Sequence, residues 1–327
     1  EAEVAEFSVF LQPSPMTHSA DPVIPLLHSQ AYTMAVVFDF IPLHYPTIYL
    51  KHAAARAEYG ASLDALKLYK DFICISHVVK RELAMVLKRS HSGPQALQAV
   101  VAWPRDVLAE DSLHAGAASV NKDGPVVLMT GDEPRKNTFG GLAGIAAATS
   151  SERGRDVVVV GLAGQDTRVH HWSIAAAMRP GEATTLGRVT DAELAEVLAA
   201  ASCVVVPSFD EGLSLPVIEA LRAGVPVVTS NVPSHRELVG RGSFSCDPAS
   251  PRSIARAVSR VRGNKRMQRT QRRALVRHKH ATLEEIVARN VLDNVRTTQG
   301  LQAPPTPERG KGERKLSVGV ATPWTPQ

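Results

Sequence analysis

Residues 201–240 read ASCVVVPSFDEGLSLPVIEALRAGVPVVTSNVPSHRELVG, and this stretch decides the fold of the chain. The apolar run at residues 203–207 is rich in β-branched side chains, which predicts a strand that is buried on both faces. Polar residues 208–214 predict a loop, and Pro216 predicts the first turn of a helix, where a missing N–H group costs little. Residues 225–229 predict a second buried strand. The stretch is therefore one β-loop-α-β unit of a parallel α/β sheet.

The loop and helix start of this unit suit a binding site. Ligands of open parallel sheets bind outside the carboxyl ends of the strands, and the free N–H groups at a helix start attract phosphate. Two carboxylates mark the unit, Glu211 in the loop and Glu219 about one turn into the helix. Carboxylates accept hydrogen bonds from hydroxyls, as on a sugar or a ribose. For a lone pair of glutamates, however, the alternative is one capping acid and one solvated helix residue.

The run EGLSLPVIEALRAGVPVV, residues 211–228, resembles the donor-site signature of glycosyltransferase family 4. The resemblance implies an α/β chain with the GT-B fold, in which two Rossmann-like domains with parallel sheets face a cleft. It also implies transfer of a sugar from a nucleotide donor with retained anomeric configuration, without a cofactor and without a required metal. The amino-terminal domain is incomplete on this interpretation.

Composition and cysteine content suit a two-domain protein of a reducing compartment. The chain has 327 residues, 44% of them hydrophobic and 21% charged, with a formal net charge of +5. Cys74 and Cys203 lie in apolar runs, which favours buried free thiols over a disulfide or a metal site and fits the cytoplasm. No apolar run approaches the roughly 20 residues of a membrane span.

The amino-terminal half contributes two candidate acceptor-side residues. Residues 35–43, AVVFDFIPL, predict a strand and a turn and resemble the HDLIPL segment of family 4. The family's His before the Asp often faces the donor sugar, whereas this chain has Phe38 there, and Asp39 is either an acceptor-side residue or simply a cap of the turn. Residues 71–76, DFICIS, predict a strand followed by Ser76 as a helix N-cap. In the family this Ser-led loop borders the cleft.

The second domain opens with a predicted strand at residues 126–130 and the turn GDEPRKN, which begins at Gly131. Arg135 and Lys136 in this turn suit a departing diphosphate, although a surface Arg-Lys pair is normally only a solvated turn. The turn resembles the PRKN variant of the family, whose basic residues bind the donor diphosphate. The segment LGRV, residues 186–189, resembles a family segment whose backbone lies beside the nucleotide base.

The resemblance assigns roles to these residues. Glu211, Arg135 and Lys136 are the candidate catalytic residues, because charge builds up on the departing diphosphate and preorganised cations stabilise it. Glu211 would also hold sugar hydroxyls and support the positive anomeric carbon, and Glu219 would hold the ribose. The candidate donor-binding residues are Gly131, Arg188, Val189, Gly212, Leu213, Ser214, Leu215 and Glu219. His235 and Glu237 are interpreted as loop and capping residues, and no metal ligand is assigned.

Residues 252–279 carry eleven Lys and Arg residues and no acid. Such a field attracts nucleic acid or anionic lipid. Nucleic acid is discounted as a partner because no aromatic side chains interleave to stack bases. One interpretation of this basic run is peripheral contact with the inner face of the plasma membrane. The other is that the run forms a solvated face of helices.

The predicted organisation has five parts. Residues 1–109 form a partial, acceptor-side amino-terminal domain, residues 110–124 a linker, and residues 125–297 the nucleotide-sugar-binding domain. Residues 298–314 are rich in Pro, Gly and charge and are expected to be disordered. Residues 315–327, KLSVGVATPWTPQ, regain strand character and predict the first strand of a following glycosyltransferase domain, as in a tandem enzyme.

The predicted function is therefore that of a retaining hexosyltransferase. It moves a mannose- or rhamnose-like sugar from a nucleoside diphosphate to a growing cell-surface glycan or a lipid-linked acceptor. Two alternatives stay open at this point. A noncatalytic GT-B module with a scaffold or regulatory role is indicated by Phe38 and by the missing first strand, and a nucleotide-sugar epimerase could share the fold.

Overall fold

A computed structural model describes most of the chain up to residue 282 and two parallel sheets within it. The described residues are 9–17, 19–88, 99–103, 121, 123–149, 156–162, 167–179, 181–240, 245–262, 264–276 and 281–282. The predicted linker at 298–314 and the predicted strand at 315–327 lie outside them, as does most of the predicted linker at 110–124.

The first sheet has five parallel strands in the order β1-β2-β3-β4-β11. These strands are β1 (Val9–Gln12), β2 (Tyr32–Val37), β3 (Asp71–Cys74), β4 (Ala99–Trp103) and β11 (Ala281–Thr282). The helices between them are α1 (Ile24–Leu27), α2 (Ile41–His44), α3 (Pro46–Tyr49), α4 (Ala53–Ala65) and α5 (His77–Val86), with 3-10 turns at Asp21–Val23 and Leu66–Leu68. A core of strand and helix side chains, including Phe72, Val79 and Leu83, joins α4 and α5 to one face of this sheet.

The second sheet has six parallel strands in the order β10-β9-β8-β5-β6-β7. They are β5 (Val126–Met129), β6 (Val157–Val160), β7 (Ala183–Gly187), β8 (Cys203–Val206), β9 (Val227–Ser230) and β10 (Ser245–Cys246). The helices are α6 (Thr138–Thr149), α7 (Thr167–Ala175), α8 (Asp191–Ala200), α9 (Leu215–Arg222), α10 (Pro233–Val239), α11 (Pro251–Val261) and α12 (Lys265–Val276), and a 3-10 turn covers Pro134–Lys136. The two parallel sheets confirm the predicted α/β class.

The position of strand β8 explains why residues 203–206 are all apolar. Val204 and Val206 face a core formed with α8, α9 and α10. Cys203 and Val205 face the opposite core, formed with α6, α7 and α11. Because successive side chains of a strand point to opposite faces, a strand covered on both sides must be apolar at every position. The second domain therefore has three layers, helices, sheet and helices, with β8 near its centre.

The local predictions for the central unit are confirmed with small shifts in boundary. Helix α9 begins at Leu215, one residue before the proline expected in its first turn. It ends before Gly224, whose φ of +75° is the left-handed conformation that glycine adopts easily. Ser76 caps α5 as predicted, since its hydroxyl accepts the N–H of Val79 at 3.1 Å. Cys74 and Cys203 are buried free thiols, as predicted.

Strand β11 connects the two parts of the chain in a way that local sequence did not indicate. Ala281 and Thr282 pair in parallel with Ala102 and Trp103 of β4. They therefore belong to the first sheet, although they fall within residues 125–297, the range predicted for the second domain. A two-residue strand has no sequence pattern of its own, so only its tertiary pairing identifies it.

Helix α12 is attached to the second sheet by one buried amide. The Gln271 side chain is fully buried. Its Oε1 accepts the N–H of Val227 at 3.0 Å, and its Nε2 donates to the carbonyl oxygen of the same residue at 2.7 Å. Both backbone groups of the first residue of β9 are thus satisfied by a single side chain, which fixes the helix at the amino end of that strand.

We expect Gln271→Leu to lower the free energy of unfolding by roughly 2–4 kcal/mol, because it leaves two buried backbone groups without partners. Urea-induced unfolding followed by circular dichroism measures the change. The matched control is Thr270→Ala on the exposed side of the same helix, for which a change within about 0.5 kcal/mol is expected. Equal unfolding midpoints for the two variants would contradict this account of Gln271.

Candidate active site

Two loops at the carboxyl edge of the second sheet form the site. One follows β5 and contains the turn Pro134–Lys136, and the other follows β8 and leads into α9. Strands β5 and β8 are neighbours in the sheet, so their loops lie side by side. The N–H of Phe209 donates to the carbonyl oxygen of Arg135 at 2.7 Å and joins the two loops directly.

Glu211 lies between two cations in the interior of this edge. Its side chain is only 4% exposed. Arg135 Nη1 donates to Glu211 Oε2 at 2.8 Å, while Lys136 Nζ and Ser208 Oγ both donate to Oε1 at 2.7 Å. Burial by itself raises the pKa of Glu211, but Lys136 and Arg135 hold it below its usual value. Glu211 is therefore an ionised, buried carboxylate, and the three predicted catalytic residues lie together.

The arginine of this cluster is held by additional oxygens. Arg135 Nη1 donates to the carbonyl oxygen of Asp210 at 3.0 Å, and its Nε donates to Glu133 Oε2 at 2.5 Å. The pKa of Arg135 is raised above its usual value, because Glu211 and Glu133 outweigh the effect of burial. Tyr49 of the first domain donates its hydroxyl to the same oxygen of Glu133 at 3.0 Å. The guanidinium group is thus permanently charged and fixed in orientation.

Glu219 has a different environment from Glu211. Burial, together with the nearby charge of Asp191, raises the pKa of Glu219 to about 7. Asp191 is the first residue of α8, and only the N-cap Thr190 separates it from the segment that contains Arg188 and Val189. The Val189 side chain is partly buried against the core beneath α9, whereas Arg188 is exposed. The structure therefore brings the segment after β7 close to the second carboxylate of the signature.

The loop from Gly212 to the start of α9 is closely packed. A Cβ atom added to Gly212 would overlap the carbonyl oxygen of Phe38 in the first domain, so only glycine fits. Leu213 packs against the core, and Ser214 is fully buried with no hydrogen-bond partner for its hydroxyl among the described residues. Leu215, the first residue of α9, is 38% exposed. Only part of this predicted donor-binding set is therefore open to a ligand.

Gly131 lies beside the lysine of the cluster. A Cβ atom at Gly131 would come 3.4 Å from Cγ of Lys136. Its carbonyl oxygen accepts the hydroxyl of Thr138 at 3.4 Å. The turn that begins here therefore shapes the space in which the Lys136 side chain runs.

The two candidate acceptor-side residues differ in what they contact. Asp39 Oδ1 accepts the N–H of Ile41 at 3.0 Å, which is the turn-capping role that the sequence left open. Burial raises the pKa of Asp39, while the Ile41 hydrogen bond and the charge of Arg135 oppose this shift. Ser76 donates its hydroxyl to the carbonyl oxygen of Gly212 at 2.7 Å. Both residues therefore lie at the boundary between the first domain and the donor loops.

An acid–histidine–acid group at this boundary was not identified from sequence. His44 Nδ1 lies 2.6 Å from Asp210 Oδ2, and His44 Nε2 lies 3.7 Å from Glu82 Oε1. Asp210 Oδ1 in turn accepts the N–H of Glu211 at 2.9 Å. His44 and Asp210 are 166 residues apart, and neither lies in a spacing pattern that could have indicated the pairing.

Two residues of α10 take on roles that local sequence did not show. Glu237 accepts the N–H groups of His77 and Val78 at 2.9 and 3.1 Å, so it does cap a helix, but the helix is α5 of the first domain. His235 is fully buried within α10. Burial lowers its pKa to about 4, although the charge of Glu211 opposes the shift. The imidazole is therefore neutral beneath the charged cluster.

Among the residues that the structure describes, no group of three or more His, Cys, Asp and Glu side chains could hold a metal ion. No described helix combines the length and the apolar character needed to cross a bilayer.

Sequence comparison relates this site to sugar transferases. Residues 124–264 match the family described as glycosyl transferases group 1. O-antigen chain mannosyltransferase B of Escherichia coli is 39% identical over 117 residues, which cover 36% of this chain and 31% of that protein. The serotype-specific mannosyltransferase WbdA of Escherichia coli is 25% identical over 257 residues, 70% of this chain and 29% of that protein. O-antigen chain mannosyltransferase RfbU of Salmonella typhimurium is 23% identical over 238 residues, 73% of this chain and 62% of that protein.

The chain thus spans about a third of the first two of these relatives. Solved structures agree in fold. Sucrose-phosphate synthase from Thermosynechococcus elongatus superposes with a TM-score of 0.64 at 17% identity. The matched region covers 91% of this chain and 76% of the synthase chain. WaaG, a glycosyltransferase involved in lipopolysaccharide biosynthesis, superposes with a TM-score of 0.58 at 14% identity. The matched region covers 79% of this chain and 74% of the WaaG chain. The narrower assignment to family 4 stays a prediction. The chain thus has the GT-B fold, and residues 124–264 of its second domain match the group 1 glycosyl transferases.

Proposed function

We propose that this chain carries the donor site of a retaining hexosyltransferase. The enzyme moves mannose or a similar sugar from a nucleoside diphosphate to a cell-surface glycan or a lipid-linked acceptor. The observation that carries the proposal is the buried, ionised Glu211 held between Arg135 and Lys136 at the carboxyl edge of the second sheet. The names of the sequence relatives, which are mannosyltransferases, support the choice of sugar.

The proposed reaction uses the two cations to stabilise the leaving group. When the bond between the sugar and the diphosphate breaks, negative charge grows on the diphosphate oxygens. Arg135 and Lys136 have side chains that are 13% and 19% exposed, so they act in a region of low dielectric constant, where such interactions are strong. The free N–H groups at the start of α9 add to this stabilisation.

Glu211 has two proposed tasks. Before the donor binds, it keeps Arg135 and Lys136 in place, so that the site needs little reorganisation when the diphosphate arrives. During transfer, its negative charge supports the positive charge that develops on the anomeric carbon. Ser208 holds one of its oxygens throughout. No metal and no cofactor is proposed for this step.

We expect Glu211→Gln in the full-length protein to lower kcat by roughly 100-fold, with a change of less than about threefold in the Kd of the nucleoside diphosphate. Gln keeps the shape but removes the charge that matters in the transition state. Steady-state kinetics and titration calorimetry with GDP, UDP and dTDP measure the two effects. Glu196→Gln, which changes an exposed carboxylate on α8, is the matched control.

The same measurements separate the proposal from its alternatives. A noncatalytic module would bind a nucleoside diphosphate without turnover in the unaltered protein. An epimerase would convert the donor sugar when the acceptor is left out. If the folded protein binds none of the three nucleotides, the proposed donor site is wrong.

Glu219 is proposed to bind the ribose hydroxyls in its ionised form. With a pKa of about 7 in the free protein, it is mostly protonated at pH 6 and mostly ionised at pH 8. The Kd of the nucleoside diphosphate should therefore fall by roughly tenfold between these pH values. Because the nucleotide titrates as well, the informative quantity is the difference between the unaltered protein and Glu219→Gln.

We expect Glu219→Gln to bind more weakly at pH 8 and to lose the part of the pH dependence that belongs to the carboxyl group. Glu196→Gln, an exposed change on α8, should leave both the affinity and its pH dependence unaltered. Calorimetric titration at pH 6, 7 and 8 is the measurement. Identical pH profiles for all three proteins would remove Glu219 from the proposed ribose site.

The proposed setting of the enzyme is the cytoplasmic face of the plasma membrane. Among the described side chains of α11 and α12, the exposed basic residues are Arg252, Arg256, Arg260, Lys265, Arg266, Arg269 and Arg273. They supply the positive field that an anionic lipid surface attracts. Helix α12 is fixed at the amino end of β9, so the basic residues of this helix lie away from the loops that carry Glu211.

We expect the full chain to co-sediment with phosphatidylcholine vesicles only when they contain phosphatidylserine, and to be released by high salt. The triple variant Arg266→Gln, Arg269→Gln and Arg273→Gln should lose most of this binding while it retains nucleotide binding. Failure of the unaltered chain to bind anionic vesicles at low salt would leave the basic residues as a solvated helix face.

A further inference from the structure

The loop that carries Glu211 is held from the first domain at several points. We call residues 209–212 the Glu211 loop. The residue before Glu211, the residue after it and the residue at the start of the loop each contact a first-domain group. The hydroxyl of Tyr45 donates to the carbonyl oxygen of Phe209 at 3.4 Å, the weakest of these contacts.

On the amino-terminal side of Glu211, the contact is made by His44. Its Nδ1 atom lies 2.6 Å from Asp210 Oδ2, and the other oxygen of Asp210 accepts the Glu211 N–H at 2.9 Å. A single carboxylate thus connects a first-domain imidazole to the backbone of Glu211. Hydrogen bonds to a carboxylate are among the stronger ones in proteins, and the Asp210 side chain is only 17% exposed. His44 therefore constrains the backbone immediately at Glu211.

On the carboxyl-terminal side, the contact is made by Ser76. The hydroxyl of Ser76 is buried and donates to the carbonyl oxygen of Gly212 at 2.7 Å. Ser76 Oγ also accepts the N–H of Val79 in the first turn of α5, which fixes the position of the hydroxyl. Phe38 packs so closely on Gly212 that no side chain fits there. The loop is thus in backbone contact with the first domain.

The side chain of Glu211 is held by a different set of groups. Arg135, Lys136 and Ser208 all belong to the second domain. The backbone around Glu211 is thus held by both domains, through Arg135 as well as through His44 and Ser76, whereas its carboxylate is held by second-domain groups. Glu237 of α10 joins the two domains beside this point by capping α5.

We propose that His44 and Ser76 are positioning residues that couple the docking of the two domains to the placement of the Glu211 carboxylate. The inference rests on the proposed role of Glu211. Neither residue needs to contact the donor, because each acts on the Glu211 loop. When the domains separate, Asp210 and Gly212 of the loop lose their contacts with His44 and Ser76, and the Glu211 carboxylate is no longer positioned relative to the first domain. Sugar transfer then depends on docking, whereas diphosphate binding depends on second-domain residues.

The test uses His44→Ala and Ser76→Ala in the full-length protein. Each should lower kcat by about tenfold or more, since small displacements of catalytic groups have effects of this size. The Kd of the nucleoside diphosphate should change by less than about twofold. Ser76→Thr keeps the hydroxyl and the helix cap and should recover most of the kcat. His52→Gln, an exposed histidine of the first domain, is the control.

A double-mutant cycle separates a positioning role from general packing. If His44 acts through Asp210, then Asp210→Asn should lower kcat on its own but add little to the effect of His44→Ala. Additive losses would contradict the proposed connection. A parallel loss of nucleotide affinity and thermal stability in His44→Ala and Ser76→Ala would also overturn it, because it would indicate a disturbed fold.

Hydrogen–deuterium exchange gives a readout that does not depend on turnover. In His44→Ala and Ser76→Ala, the peptide that contains the Glu211 loop should exchange faster than in the unaltered protein, with no change in β8 itself. If the unaltered protein transfers no sugar, the proposed function fails, and the exchange rates still decide whether these residues hold the loop. Unchanged exchange in both variants would overturn the inference.

Discussion

The fold depends on the compensation of one buried charge. Glu211 lies almost completely out of water, and an ionised carboxylate in that position is tolerated only when partners satisfy it. Arg135, Lys136 and Ser208 do so from two loops. Those loops meet because β5 and β8 are parallel neighbours whose carboxyl ends lie at one edge. The register of the sheet is thereby linked to the chemistry of the site.

The same arrangement explains how two cations can lie side by side in a partly buried site. Glu211 and Glu133 both pair with Arg135, so the guanidinium group is already oriented. On the proposed function, a diphosphate would exchange partners with these groups instead of organising them from free side chains, which would keep the reorganisation at the moment of reaction small. Glu219, the second carboxylate of the signature, has no such cation among the charges that shift its pKa. Burial and the charge of Asp191 raise its pKa instead. Two glutamates of one motif thus differ in charge because their neighbours differ.

The first domain contacts this site at short range, and the close packing restricts which side chains fit at the boundary. Gly212 must be glycine because the backbone at Phe38 lies against it. Ser76 serves a helix of its own domain and a loop of the other with one hydroxyl. Glu237 caps a helix start across the same boundary. Such contacts need the two domains in one arrangement, which is why the placement of the loop and the docking of the domains are physically connected.

Sequence by itself determined the parallel strands around β8, the start and end of α9, the N-cap at Ser76, the buried thiols and the residues of the cationic turn. All of these follow from interactions within a few residues or from the period of apolar side chains. Tertiary structure decided the pairing of β11, the contact of His44 with Asp210 and the opposite pKa shifts of Glu211 and Glu219. The reason is distance along the chain. Arg135 and Glu211 are 76 residues apart, Ser76 and Gly212 are 136 apart, and no local pattern records which groups the fold brings within a hydrogen bond of each other.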